Sequence, residues 1–264
     1  MNVPAHPFSD VDHQSDPQRW VQCLDDLAHE PLYKRYKAIV LETLHATAGA
    51  TYLELGCGTG NDAQAVRSSG AQVVCLDRAL TMTREARRRG LPAVACGEAE
   101  ALPFDSSAFD GAWADRTFQH LRDPDAALAE LVRVLKPGGR IVLADPDYST
   151  QSMNFPDREI ASSVLQFRAL HGQRNGTLAH TMDEHLARVG LEHIEVRKQR
   201  VDVRDPTALD NVLGLRSWAS AALRQGLMSR EQVARWERLY DEIASTSRFR
   251  WSVTFFITAG NKHI

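Results

Sequence analysis

Between Thr51 and Ala144 the apolar residues come in short runs bounded by glycine, proline or acids, with helical patterns between them. Thr51–Leu55, Gln72–Leu76, Ala93–Cys96, Phe109–Ala114 and Arg140–Ala144 read as five strands. A helix follows the first strand, from about Asn61 to Gly70, which suits a left-handed cap. The next helix closes on Arg87, Arg88, Arg89 and Gly90, where arginines suit the negative helix end and read as a solvated face. A third starts with Asp123 as cap and Pro124 in its first turn. It carries Leu128, Leu131 and Leu135 as one stripe and is followed by a turn at Pro137-Gly138-Gly139. Strands alternating with helices predict a parallel sheet covered on both faces.

Past Asp145 this alternation fails. Residues 148–180 carry no clear period. Thr181–Val189 reads as a short helix, with Thr181 and Glu184 spaced for a capping box and Gly190 as its stop. Glu192–Val203 and Trp251–Thr258 read as strands. The stretch 205–249 between them is strongly helical, with Val233, Trp236, Leu239, Tyr240 and Ile243 on one face. The N-terminal residues 1–47 read as a helical lid carrying Trp20, Tyr33 and Tyr36, ahead of one domain over 48–264.

Composition adds exclusions. The 264 residues are enough for one large α/β domain with a small cap. A net charge of -3 without a dominant basic face argues against a nucleic-acid partner. No apolar run reaches membrane-span length, and the polar start Met1–Asp16 does not resemble a secretory signal. Cys23, Cys57, Cys75 and Cys96 are scattered without metal-ligand spacing, so no metal is expected. Cys75 and Cys96 read as buried thiols, and a reducing, cytoplasmic location fits.

The candidate chemistry begins at Gly56, Gly58 and Gly60. A glycine turn between a strand and a helix lets backbone N–H groups approach a ligand, and Asp77, ending the next strand, can bind both hydroxyls of a ribose. In dinucleotide-binding loops the third glycine falls three after the second, where this chain has Asn61. Glu54 ahead of the loop suits a ligand with an ammonium group and no phosphates. Both features disfavour a nicotinamide-dependent oxidoreductase.

Glu54-Leu55-Gly56-Cys57-Gly58-Thr59-Gly60 resembles the first motif of the class I S-adenosylmethionine-dependent methyltransferases. Asp77 matches that family's ribose-binding acid. Gly97–Phe104 resembles the segment whose first acid meets the adenine amino group; here it is Glu98, where the family usually has Asp. Asp110 falls in the family's fourth-strand region, and Arg133–Arg140 resembles the turn before its fifth strand. Together the motifs, over Ala48–Asp147, are similar to the ubiquinone/menaquinone methyltransferase-like branch. The resemblance implies a Rossmann-like, doubly wound α/β fold. Its sheet has seven strands, mostly parallel, with an antiparallel last strand between the fifth and sixth, plus a helical cap. It implies S-adenosyl-L-methionine as cofactor, held by Glu54, Gly56, Cys57, Gly58, Gly60, Asp77, Arg78, Glu98 and Ala99, with Leu102 beside Ala99 in an adenine slot. Asp115 and Arg116 would flank its methionine part.

The implied reaction is methyl transfer to an O, N or C atom of a small molecule, a secondary metabolite or quinone-like compound. The stretches 148–180 and 205–249 are the expected acceptor-site insertions. His120, after the fourth strand at the sheet's carboxyl edge, is the candidate base, with helix packing as its alternative role. Asp145, Asp147 and Arg174 are candidates for substrate contact or plain surface polarity, and Asn175-Gly176 reads as an ordinary turn. His171 and His180 show no ligand-like partners. A non-methylating, cyclase-type enzyme using the same cofactor, and a cofactor-sensing module, remain open alternatives.

Overall fold

In the computed structural model, which describes Phe8 and residues 10–264, the five strands expected before Asp145 are β1 (Thr51–Leu55), β2 (Gln72–Asp77), β3 (Val94–Cys96), β4 (Phe109–Asp115) and β5 (Leu135–Asn154). With β6 (Leu191–Val203) and β7 (Arg250–Lys262) they form one sheet in the order β3-β2-β1-β4-β5-β7-β6. Pairing is parallel through β5, and β7 runs antiparallel to both neighbours. This is the expected topology. Chain order reverses between β1 and β4, so a crevice opens at their carboxyl ends, where open α/β sheets bind ligands.

Helices α1 (Gln18–His29) and α2 (Pro31–Leu44) precede the sheet; α3 (Asn61–Arg67), α4 (Leu80–Arg88) and α5 (Pro124–Val134) connect its parallel strands. Alternate side chains of a strand point to opposite faces, and the core divides accordingly. Leu53 and Leu55 pack with Leu128 and Leu131 of α5, whereas Tyr52 packs with Tyr36, Val40 and Leu44 of α2. Asp123 caps α5 as expected, its carboxylate accepting from the Ala126 amide at 3.0 Å.

The stretch without a period, 148–180, continues β5 to Asn154 and then forms α6 (Arg158–Leu170), capped by Asp157. Residues 205–249 break into α8 (Pro206–Leu213), α9 (Trp218–Arg224) and α10 (Arg230–Ala244); α9 and α10 pack with α6, and α8 meets α1. Residues 1–7 and Ser9 of the expected lid lie outside the described residues.

Four local expectations are corrected. Pro137-Gly138-Gly139 lies inside β5 as a bulge: pairing with β4 jumps from Leu135 to Arg140, and Gly138 has φ +77°. The helix α7 (Met182–Arg188) has no capping box, because a 3₁₀ turn at Leu178–Thr181 runs straight into it and the Thr181 hydroxyl donates back to Leu178 O at 3.4 Å. The reciprocal box stands instead at Ser229 and Gln232 of α10. Cys96 is exposed, since β3 is the edge strand, whereas Cys75 is buried.

The fourth correction concerns the arginine run. Arg88 is solvated, but Arg89 is not: its guanidinium grips Asp25 of α1 at 2.7 and 2.8 Å and Glu85 at 2.7 Å. This clamp joins α1 to α4. Arg89→Ala is expected to lower stability by about 1 kcal/mol and to speed amide exchange in α1 more than in β1, as hydrogen-exchange mass spectrometry can measure. Uniform exchange changes would show that the clamp does not hold α1.

Candidate active site

The glycine loop leaves β1 and is tied to the end of β2. Gly56 and Cys57 amides donate to Leu76 O at 2.7 and 3.1 Å. The Gly58 amide donates to Asp77 Oδ2 at 2.8 Å, and the Ala79 amide to Asp77 Oδ1 at 2.9 Å. Asp77 thus shapes the loop and still has a lone pair free on each oxygen. Burial raises its pKa, while the two amides act in the opposite direction. Two glycines answer to close approach: at φ +73° a Cβ on Gly56 would stand 2.2 Å from Thr117 Oγ1, and at φ +80° one on Gly60 would stand 2.0 Å from Leu91 Cδ1.

Above the carboxyl ends of β1, β2 and β4 lies a cavity of about 460 Å³. Of the expected cofactor residues, Glu54, Gly56, Cys57, Gly58, Asp77, Arg78, Glu98, Ala99, Asp115 and Arg116 line it, as does His120. Gly60 is not in the lining; it serves packing against Leu91. Cys57 is a buried thiol raised well above its usual range by a hydrogen bond with Cys75 and by burial. Glu98 is exposed and pairs with Arg78 at 3.7 Å.

Asp115, at the end of β4, is the most crowded group. Its Oδ2 accepts from Lys37 Nζ at 2.5 Å and from Tyr36 OH at 3.1 Å, and faces Arg116 Nε at 3.4 Å. Its buried Oδ1 has no hydrogen-bond partner among the described residues. Burial pushes the Asp115 carboxyl up, but the charges of Lys37 and Arg116 outweigh this and hold it below the usual range. Lys37 also pairs closely with Asp62. Arg116 holds φ +52°, its amide donating to Ala144 O at 2.7 Å and its guanidinium lying 5.1 Å from the Tyr33 ring centre. Glu54 is almost fully buried beside the Cys75 thiol; burial first, then the charge of Asp62, pushes its carboxyl well above the usual range.

His120 sits in a 3₁₀ turn, Phe118–His120, and lines the cavity. Burial, with the charges of Arg168 and Arg116, pushes its imidazole down to about 3. Asp145 does not line the cavity: it lies buried beneath that turn and accepts from the Gln119 amide at 3.4 Å. Burial and the charge of Asp115 push its carboxyl well above the usual range. Arg174 is exposed and lines a separate shallow depression. Its neighbour Asn175 is more than a turn residue, donating from Nδ2 to Phe118 O and Leu121 O at 2.9 Å each. Asp147 is fully buried and bonds His180 Nδ1 at 3.1 Å, a partner the sequence did not reveal.

Several lining residues were absent from the sequence reading: Lys37, Asp62, Tyr148, Arg168 and Gln173. A signal for two of them existed. Lys37 follows the stripe Tyr33, Tyr36, Val40, and Arg168 falls on the stripe Ile160, Val164, so each places a charge on a helix's buried face.

A family model described as "Methyltransferase domain" matches residues 53–143. An uncharacterised 37.1 kDa protein in transposon TN4556 of Streptomyces fradiae is 34% identical over 245 residues, 90% of this chain and 70% of that protein. A malonyl-[acyl-carrier protein] O-methyltransferase of Laribacter hongkongensis is 31% identical over 223 residues, 76% of this chain and 72% of that one. The solved [4+2]-cyclase SpnF shares the fold at 20% identity and a TM-score of 0.58, covering 100% of both chains.

The buried imidazole sets a pH expectation. An unfolded histidine takes a proton near 6.5, whereas His120 in the fold resists it down to about 3. The unfolded chain therefore binds the extra proton in that window, and this contribution to stability is lost as pH falls from 6.5 toward 3. The acid-side decline in Tm is expected to be shallower in His120→Asn than in the parent. Parallel curves would mean that the imidazole is not held neutral by burial.

Proposed function

The chain belongs to the class I S-adenosylmethionine-dependent methyltransferases, in their quinone methyltransferase-like branch, and from that premise we propose that it methylates an O, N or C atom of a small molecule. The acceptor, a secondary metabolite or quinone-like compound, lies between the sheet edge and the C-terminal helices. The observation that carries this reading is the continuity of one cavity. It runs from the glycine loop and Asp77 to Tyr148 on the far part of β5 and to Arg168 and Gln173 in the segment after it.

The enzyme's cofactor is S-adenosylmethionine, and the residues present suit it. Buried Asp115 Oδ1 and Glu54 offer acceptors for an ammonium group, and Lys37 and Arg116 offer donors for a carboxylate. In our reading the free lone pairs of Asp77 take the ribose hydroxyls. Arg78 and Glu98 border the adenine, with Ala99 against the ring, and α1 and α2 form the lid over them. When bound, the cofactor supplies a methyl group already activated by a positive sulfur. The protein's share is alignment and the exclusion of water. His120, neutral and a weak base in this environment, orients the acceptor rather than withdrawing its proton at neutral pH. Among the described residues no helix is long and apolar enough to cross a membrane. A cytoplasmic location belongs to this reading, supported by four free cysteines.

Two experiments test it. Asp77→Ala is expected to weaken S-adenosylmethionine binding by about 1–3 kcal/mol in calorimetry, the usual worth of a hydrogen bond to a charged group. Unchanged affinity would remove Asp77 from the site. Mass spectrometry of candidate acceptors is expected to show one added methyl. A rearranged product of unchanged mass would favour the cyclase alternative, and cofactor binding without any turnover the sensing module.

A further inference from the structure

Arg168 is the strangest group in the cavity. Its residue is only 3% exposed, and among the described residues no carboxylate forms an ion pair with it. Its guanidinium is flanked by two rings, 4.7 Å from the centre of Tyr148 and 4.8 Å from that of Trp218. Nη1 donates to Gly172 O at 3.1 Å and Nη2 to Tyr148 OH at 3.4 Å, while Nε has no partner. Arginine stays charged, so this is a buried cation with donors to spare. Such a charge is costly to the folded chain unless something anionic meets it. The same lining holds Gln173, also 3% exposed, whose Oε1 lacks a hydrogen-bond partner among the described residues.

The surroundings define what could bind. Val201, Leu213, Trp251, Val253 and Phe255 give the same cavity an apolar and aromatic wall. Flanking rings hold the guanidinium as a flat donor plate, which suits a planar two-oxygen acceptor. Gln173 adds an amide for a polar substituent next to that group.

We propose that Arg168 is the anchor for a carboxylate on the acceptor, and that the acceptor is an organic acid with an apolar or aromatic body. This rests on the methyltransferase reading and extends it to substrate class. Gly172 and Tyr148 position the anchor: the first through its carbonyl, the second through its hydroxyl and ring.

The test uses the full chain saturated with S-adenosylhomocysteine, with 3-phenylpropanoate as probe and 3-phenylpropanamide and phenyl phosphate as comparisons, in calorimetry. The carboxylate is expected to bind about tenfold or more tightly than the amide, and Arg168→Met to abolish that preference. Arg168→Met is also expected to keep its affinity for S-adenosylhomocysteine and to melt no lower than the parent, since an apolar chain replaces an unpaired buried charge. Equal binding of acid and amide, a preference for the phosphate, or a carboxylate preference that survives in Arg168→Met would overturn the inference. A lowered melting temperature in Arg168→Met would assign Arg168 to the scaffold. Failure of the parent chain to bind S-adenosylhomocysteine would instead sink the cofactor reading beneath it.

Discussion

Asp115 is the buried charge on which the cavity is built. A carboxylate withdrawn from water costs several kcal/mol unless it is paired. Here the pairing comes from outside the sheet: Lys37 and Tyr36 from α2, and Arg116 from the strained residue that follows β4. Lys37 goes on to Asp62 of α3. One charge at a strand end therefore draws α2, α3 and the post-β4 turn to the same point. The covering helix and the site beneath it depend on each other.

The same burial sorts the ionisable groups of the cavity. Beside the glycine loop it raises Glu54, and the like charge of Asp62 adds to the effect. At His120 it depresses the imidazole, and the like charges of Arg168 and Arg116 add to the effect. Both shifts favour the neutral form, as low dielectric must. The result is a site with acids at the ends of β1, β2 and β4 and cations brought to them by α2, by the residue after β4 and by α6. A fold of this kind hosts different chemistries, as the cyclase neighbour illustrates, so the arrangement of charges rather than the sheet bears on what is bound.

The parallel strands were legible because each is a short apolar run closed by a glycine, proline or acid, and the cofactor residues because they cluster on one loop and the strand beside it. One misreading and two incomplete readings share a cause. The sequence presents Arg89 as a solvated face, Asn175 as a turn residue and His180 as lacking a ligand-like partner, yet each finds a partner across the fold: Asp25 on α1, the carbonyls of Phe118 and Leu121, and Asp147 on β5. The sequence reads Pro137-Gly138-Gly139 as a turn ahead of the fifth strand; that it lies inside the strand as a bulge depends on the pairing with β4.

By itself the sequence determined the order of strands and helices up to β5, the glycine loop, and the acid that faces it, because backbone conformation and periodicity are local. Tertiary structure alone decided which charges end up buried together. Lys37, Asp115 and Arg168 are 131 positions apart from first to last, and no local pattern states that they border one cavity. Their energies depend on neighbours from other elements and on the water those neighbours exclude, and neither exists until the chain has folded.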